Sequence, residues 1–165
     1  QEQARLALQK AASLAPLHPG AQLLLGQVYQ SSGYTTPAWL ALSTFLIIEP
    51  GGPQGLQGYG LWRAILKGTV DPLPEEVQRD AAMQSASSRA SAKTDEGDFA
   101  ATERQLAPSY KQMLQKMDEG TTEIAALVGQ VNAVLATLPA QPAGPAAGSF
   151  VNRHYVPFFI ELRRN

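Results

Sequence analysis

The stretch that decides the fold is residues 22–50, QLLLGQVYQSSGYTTPAWLALSTFLIIEP. It contains two apolar runs, each long enough for a helix, and Gly33 lies between them. Gly26 in the first run and Ala38 in the second are small, so two helices can approach closely there. Tyr29 fills the space beside them, and a proline ends the second run. The stretch therefore predicts a helical hairpin.

The hairpin belongs to a repeat with a period of 34 residues. When the sequence is shifted by 34 positions, five residues of the first part fall on identical residues of the second. Two of these matches are prolines and one is a glycine, which are the residues that end helices and shape turns. A period of this length corresponds to two helices and two turns that stack on the next pair. The matched pairs are Ala4 with Ala38, Leu8 with Leu42, Pro16 with Pro50, Pro19 with Pro53, and Gly26 with Gly60.

Within this frame the complete unit resembles the tetratricopeptide repeat. That family has the pattern W-x2-L-G-x2-Y, followed by A-x3-F and then P. Here residues 22–29 read Q-x2-L-G-x2-Y, residues 38–42 read A-x3-L, and Pro50 follows. Gln22 thus replaces the tryptophan of the pattern, and Leu42 replaces the phenylalanine.

The resemblance covers about residues 2–68. The half unit before the complete one contains only a second helix. Its first helix would lie upstream of Gln1, so we expect the array to extend in that direction, and we expect further chain after Asn165. The half unit after the complete one, at about residues 53–67, departs further from the pattern.

The resemblance and the helical periodicity of the remaining sequence predict an all-α protein. Its first part is a short tetratricopeptide-like array of helical hairpins, an α-α superhelix, which additional helices extend or cap. We expect those helices at about 74–92, 99–117 and 121–138. The predicted regions are the array (1–68), the additional helices (69–139), a Pro/Ala/Gly linker (140–149) and an aromatic C-terminal segment (150–165).

The C-terminal segment carries four aromatic residues within ten positions, Phe150, Tyr155, Phe158 and Phe159. We expect these rings to fix it to the array. Pro157 favours a short helix that begins there, because proline is well tolerated in the first turn of a helix. A strand over residues 150–156 is the alternative.

Composition and charge exclude several classes of function. Thirteen Lys and Arg against fourteen Asp and Glu give a net charge of −1, which argues against phosphate-neutralising nucleic-acid binders and polybasic membrane-surface binders. The longest uncharged apolar run, residues 38–48, is about half of the ~20 residues that a membrane span needs. With no cysteine, disulfides and thiolate ligands are excluded, and oxidising and reducing compartments both remain compatible.

No residue pattern predicts catalysis, a metal site or a cofactor. His18 and His154 are far apart, and neither has the local spacing of metal ligands. Residues 51–60 are rich in glycine but lack the Lys-Ser/Thr of a phosphate loop. The acidic groups at 75–76 and 95–98 do not have calcium-loop spacing. An enzyme would have to use Arg153, His154 and Tyr155, which we interpret as an aromatic anchor with a polar tip. We therefore predict that the chain is not an enzyme.

The most unusual feature is a gap in charge. Residues 11 to 48 contain no Asp, Glu, Lys or Arg. One explanation is that the C-terminal segments or a partner cover this layer. The other is a solvated surface of Gln, Ser and Thr, and the sequence leaves both open.

The resemblance implies a function in protein–protein recognition. Arrays of this family hold a peptide or helix on a concave face that the first helix of each unit lines. These positions carry no charge here, so we expect an uncharged groove, exposed in the free protein, rather than a clamp for an acidic tail. The alternative is a structural module that assembles with a copy of itself. The positions that match the face are Leu23, Gln27 and Gln30 in the complete unit, and Gln57 and Leu61 in the partial one.

Overall fold

The computed structural model describes residues 2–67, 99–118, 122–139 and 148–164. These ranges form eight helices and no strand, which confirms the all-α prediction for the described part of the chain. The predicted helix at 74–92 and nearly all of the predicted linker lie outside it. The helices are α1 (Glu2–Leu14), α2 (Pro19–Ser31), α3 (Thr35–Ile48), α4 (Gly55–Lys67), α5 (Ala100–Asp118), α6 (Glu123–Leu135), α7 (Phe150–His154) and α8 (Val156–Arg164).

Helices α1 to α4 pack in chain order, each against the next. Local residues set their ends. The Nδ1 atom of His18 accepts a hydrogen bond from the backbone N–H of Ala21 at 3.2 Å and so caps α2, whose first residue is Pro19. Gly33 adopts a φ of 80° in the turn between α2 and α3, a backbone conformation that residues other than glycine rarely adopt. These residues explain why the hairpin could be predicted from the sequence.

Polar side chains of α1 reach across to the complete hairpin. The Nε2 atom of Gln9 donates to the hydroxyl of Tyr29 at 2.9 Å. The guanidinium of Arg5, which is paired with Glu2, lies 5.6 Å from the ring centre of Tyr34. These contacts attach α1 to α2 and to the turn after it, so α1 continues the stack.

Helix α3 is the centre of the core. Each residue from 36 to 43 is buried. The indole of Trp39 stacks on Trp62 of α4, with ring centres 6.3 Å apart, and packs at the same separation against Phe159 of α8. The Trp62 Nε1 donates to the Ser43 hydroxyl at 2.8 Å, so the polar groups at this contact are partly satisfied. The part of the uncharged layer that forms α3 is thus largely interior.

Two glycines allow the helices to approach closely, and only one of them is the predicted one. A Cβ atom at Gly26 would lie 2.7 Å from the Cγ of Leu42, which confirms the predicted close contact between α2 and α3. At Gly60 a Cβ would meet nothing within 4 Å, so the repeat frame was wrong there. Gly58 is buried in α4, and a Cβ there would clash with the Phe45 ring.

The length of the connection between α3 and α4 explains this shift. The 34-residue frame places the start of the next helix at residue 53, but α4 begins at Gly55. Two positions correspond to about 200° around an α-helix, so a two-residue delay exchanges the packed face for the exposed one. Gly60 therefore faces away from α3, and Gly58 faces toward it.

The remaining helices extend the stack. Helix α5 packs against α4 and α6, and α6 contacts α8. The Thr122 hydroxyl caps α6, and the Ser149 hydroxyl caps α7 by accepting from the N–H of Asn152 at 3.2 Å. The alternative of a strand over residues 150–156 is wrong, because this cap starts a helix and Pro157 fits the first turn of α8. None of the described helices combines the length and the apolar character needed to cross a membrane.

The two glycines give a matched pair of alanine substitutions. Gly26→Ala should lower the free energy of unfolding by about 1–3 kcal/mol, because the Leu42 side chain is fully buried and has little room to move. Gly60→Ala should raise it by about 1 kcal/mol, because alanine is the better helix former at an exposed position. Urea denaturation measures both. Shifts of the two midpoints in the same direction would contradict this assignment of the packed face.

Candidate partner-binding face

The structure places the five predicted face residues at different depths. Leu23 is only 2% exposed and belongs to the same buried cluster as Val151 and Tyr155 of the C-terminal segment, so the expectation of an exposed groove leucine is wrong. Its own chain covers it. The other four remain at least partly accessible: Gln27, Gln30 and Leu61 are half-buried, and Gln57 is exposed.

The four accessible positions form two separate stripes, because the two-residue delay of α4 turns Gln57 and Leu61 away from the places that the 34-residue frame predicts for them. Gln27 and Gln30 lie one turn apart on α2, and Gln57 and Leu61 lie one turn apart on α4. Helix α3 packs against both α2 and α4. The leucine has its apolar body against the core, and the three glutamines offer amide groups. We call Gln27, Gln30, Gln57 and Leu61 the amide face.

A buried glutamine, Gln22, attaches the C-terminal segment to α2. Its Nε2 donates to the backbone oxygen of Pro16 at 2.9 Å, and its Oε1 accepts from the hydroxyl of Tyr155. Both side chains are almost completely buried. Burial raises the pKa of the Tyr155 hydroxyl well above its usual range, so this group remains a proton donor at ordinary pH. Gln22 is thus a structural residue of the core and not part of a groove.

The Arg153-His154-Tyr155 cluster does not converge on one point. Tyr155 is directed to Gln22, while the imidazole of His154 stacks on Phe150 with ring centres 4.8 Å apart. The Nε of Arg153 donates to the backbone oxygen of Ser149 at 3.4 Å. Burial lowers the pKa of the half-buried His154. The geometry agrees with the interpretation of this cluster as an anchor.

The contacts of the C-terminal segment explain part of the charge-free stretch, residues 11–48. Tyr155 and Phe159 cover parts of α2 and α3, so the chain's own C-terminal segment protects the uncharged layer. A charge on α3 would have to be buried without a partner, at a cost of several kcal/mol. Residues 13–18 are exposed, and the amide-face positions of α2 are half-buried, so these parts of the layer stay near solvent. Of the two explanations, internal coverage applies to α3.

A second feature, which the sequence interpretation missed, is a pocket between α4, α5 and α6. Gln130 lines it and is 2% exposed, and neither its Oε1 nor its Nε2 has a hydrogen-bond partner. Gln130 lies between Leu127 and Val134 on the apolar stripe of α6. A polar residue at such a position is the signal that could have revealed it.

Within the described ranges, no group of three His, Asp or Glu side chains is arranged to hold a metal ion. Comparisons of this chain with known protein families, with curated proteins and with solved structures find no match.

Removing one hydroxyl tests the attachment of the C-terminal segment. Tyr155→Phe should lower the free energy of unfolding by about 1–3 kcal/mol, because it leaves the buried Gln22 oxygen without its donor. Gln22→Leu has a cost of its own, because it also removes the hydrogen bond to Pro16. In the Gln22→Leu background, however, adding Tyr155→Phe should cost much less than in the natural chain, since the acceptor of the hydroxyl is already absent. Thermal unfolding followed by circular dichroism measures both effects. Equal losses from Tyr155→Phe in the presence and absence of Gln22 would contradict the pairing.

The lowered pKa of His154 predicts a pH dependence of stability. The unfolded chain binds a proton at His154 near the ordinary value of ~6.5, and the folded chain binds it at lower pH. Its contribution to stability is therefore complete above that value and is lost as the pH falls through the folded pKa. His154→Phe keeps a ring against Phe150 and should reduce the decline in unfolding midpoint on acidification. Parallel declines in the two proteins would show that His154 does not contribute.

Proposed function

We propose that this chain is a protein–protein interaction module of the tetratricopeptide-repeat type, which binds a peptide or helix on the amide face. The single observation that carries the proposal is the stack of α1 to α4, in which uncharged amide groups remain accessible on α2 and α4. Gly26 at the crossing of α2 and α3 supports the family resemblance, because the repeat pattern expects a glycine for this close contact.

The chain's own C-terminal segment supports the proposal further. Helices α7 and α8 dock on α2 and α3 through Tyr155 and Phe159. The contact combines aromatic packing with a hydrogen bond to the amide of Gln22. The array thus holds helical segments by apolar contact and amide chemistry, and the same types of side chain are offered on the amide face.

The chemistry of the amide face defines the expected partner. A glutamine side chain has one acceptor and two donor hydrogens, so it can pair with the N–H and C=O groups of a bound backbone. Leu61 adds an apolar contact beside Gln57. No charge is available on these positions to attract an acidic or basic tail. We therefore expect a peptide without strong charge, bound as a helix or an extended segment.

Selection of peptides from a random display library tests the proposal. The selected peptides should bind the full chain with an affinity that changes less than about threefold between about 0.05 and 0.5 M NaCl, because no ion pairs are screened. Gln27→Ala and Gln57→Ala should each weaken binding by about 2- to 12-fold, the loss that one net hydrogen bond represents. Fluorescence anisotropy measures both effects.

Gln3→Ala is the matched control, since Gln3 is exposed on α1 and lies outside the amide face. Leu23→Glu is unsuitable, because Leu23 is buried and the substitution would unfold the chain. Peptides whose binding disappears in moderate salt and ignores Gln27 and Gln57 would exclude the amide face as the site.

A second candidate function is self-assembly, which the exposed leucines near α1 favour. Leu6, Leu14 and Leu17 are 52%, 78% and 77% exposed, and Leu24 of α2 is 51% exposed. Apolar exposure often marks an interface between proteins where such side chains form one patch. Sedimentation equilibrium distinguishes the two functions: a dimer without peptide binding would favour self-assembly, and a monomer that binds peptides would favour the module.

A further inference from the structure

The pocket between α4, α5 and α6 is open to solvent, and its empty volume of about 250 Å³ includes that open mouth. The part that water-sized groups can occupy is only about 10 Å³, far below the roughly 300–1,000 Å³ of typical small-molecule sites. This part has room only for the polar tip of one side chain, and the rest of that side chain would lie in the mouth. The residues that line it are Tyr59, Trp62, Arg63, Leu66, Met113, Leu127 and Gln130.

Gln130 gives this pocket its specific chemistry. Its side chain is 2% exposed, and both polar atoms of its amide lack a hydrogen-bond partner. An unpaired buried amide destabilises a protein, so such a group in a folded chain calls for a ligand or a water molecule that satisfies it. The amide supplies one acceptor, Oε1, and donors on Nε2. A complementary ligand must offer both a donor and an acceptor.

The wall of the pocket favours a flat group. The rings of Tyr59 and Trp62 are nearly parallel, at 22°, with centres 6.0 Å apart. The Trp62 N–H is committed to the Ser43 hydroxyl, so Trp62 contributes its apolar ring surface to the pocket. Met113 has a flexible thioether side chain that can shift to admit a ligand. Planar groups pack well against aromatic surfaces of this kind.

We propose that this pocket binds a planar carboxamide, supplied by a glutamine or asparagine side chain of a bound polypeptide, which exchanges two hydrogen bonds with the Gln130 amide. A carboxylate would accept from Nε2 but leave Oε1 without a donor. An aliphatic group would leave both atoms unpaired. A carboxamide satisfies both and has the flat shape that the aromatic wall accepts.

The polypeptide source of the carboxamide rests on the proposed function, whereas the chemistry of the pocket does not. The first experiment therefore uses a small probe, benzamide, and follows the side-chain ¹⁵N–¹H signals of Gln130 and the Trp62 indole by NMR. Benzamide should produce saturable shifts of both signals at millimolar concentration. Methyl benzoate has the same shape and an acceptor but no N–H donor, and it should bind at least about tenfold more weakly.

Gln130→Leu is the decisive variant. It replaces an unpaired amide by an apolar group of similar size, so the unfolding midpoint should remain or rise while benzamide affinity falls at least about tenfold. Asn132→Leu is the matched control, because Asn132 is an exposed amide on the same helix, and this variant should bind benzamide normally.

Several results would overturn the proposal. These are equal binding of methyl benzoate and benzamide, tighter binding of benzoate at Arg63, unchanged benzamide binding in Gln130→Leu, or a bound water at Gln130 with no response to benzamide. The peptides from display selection then test the source. In these peptides, glutamine and asparagine residues are replaced by leucine. If the affinity is unchanged, a polypeptide is not the source of the carboxamide, even where benzamide binds.

Discussion

The burial of one indole ring holds the described structure together. Trp39 is completely buried, and it packs against Trp62 of α4 on one side and Phe159 of α8 on another. Two consecutive helices and the C-terminal helix therefore meet on one side chain. Its N–H has no hydrogen-bond partner, so the aromatic contacts and the large buried area must offset that cost. A helix in this position tolerates no charge, which accounts for the uncharged composition of α3.

Much of the array could be predicted because its determinants are local. Pro19 starts α2, Gly33 makes the turn after it, and Gly26 marks the contact with α3, each within one hairpin. The frame failed at Gly60 because the connection between α3 and α4 sets where α4 begins, and a two-residue delay rotates the whole helix face. The repeat period predicts the order of the helices in the next unit. The length of the connection decides which side of α4 packs against α3.

The candidate site was less predictable, because its depth depends on contacts across the chain. Leu23 matches a groove position by sequence, yet it is buried in one cluster with Val151 and Tyr155. The sequence indicated that the aromatic segment would attach to the array, but not where its rings would lie. Gln27 and Gln57 are accessible, so the amide face keeps these amide groups although Leu23 is not part of it.

Two buried glutamines show how environment separates a structural role from a binding role. Gln22 is fully buried, and its donor and acceptor are both used within the chain, by Pro16 and Tyr155. Gln130 is buried to nearly the same extent, and neither end of its amide is used. The side chains are chemically identical, so desolvation costs a similar free energy in each. At Gln22 the folded chain supplies the compensating bonds, and the amide stabilises the fold. At Gln130 it does not, and under our proposal a carboxamide that enters the pocket supplies these bonds, so its binding should stabilise the packing of α4 and α6.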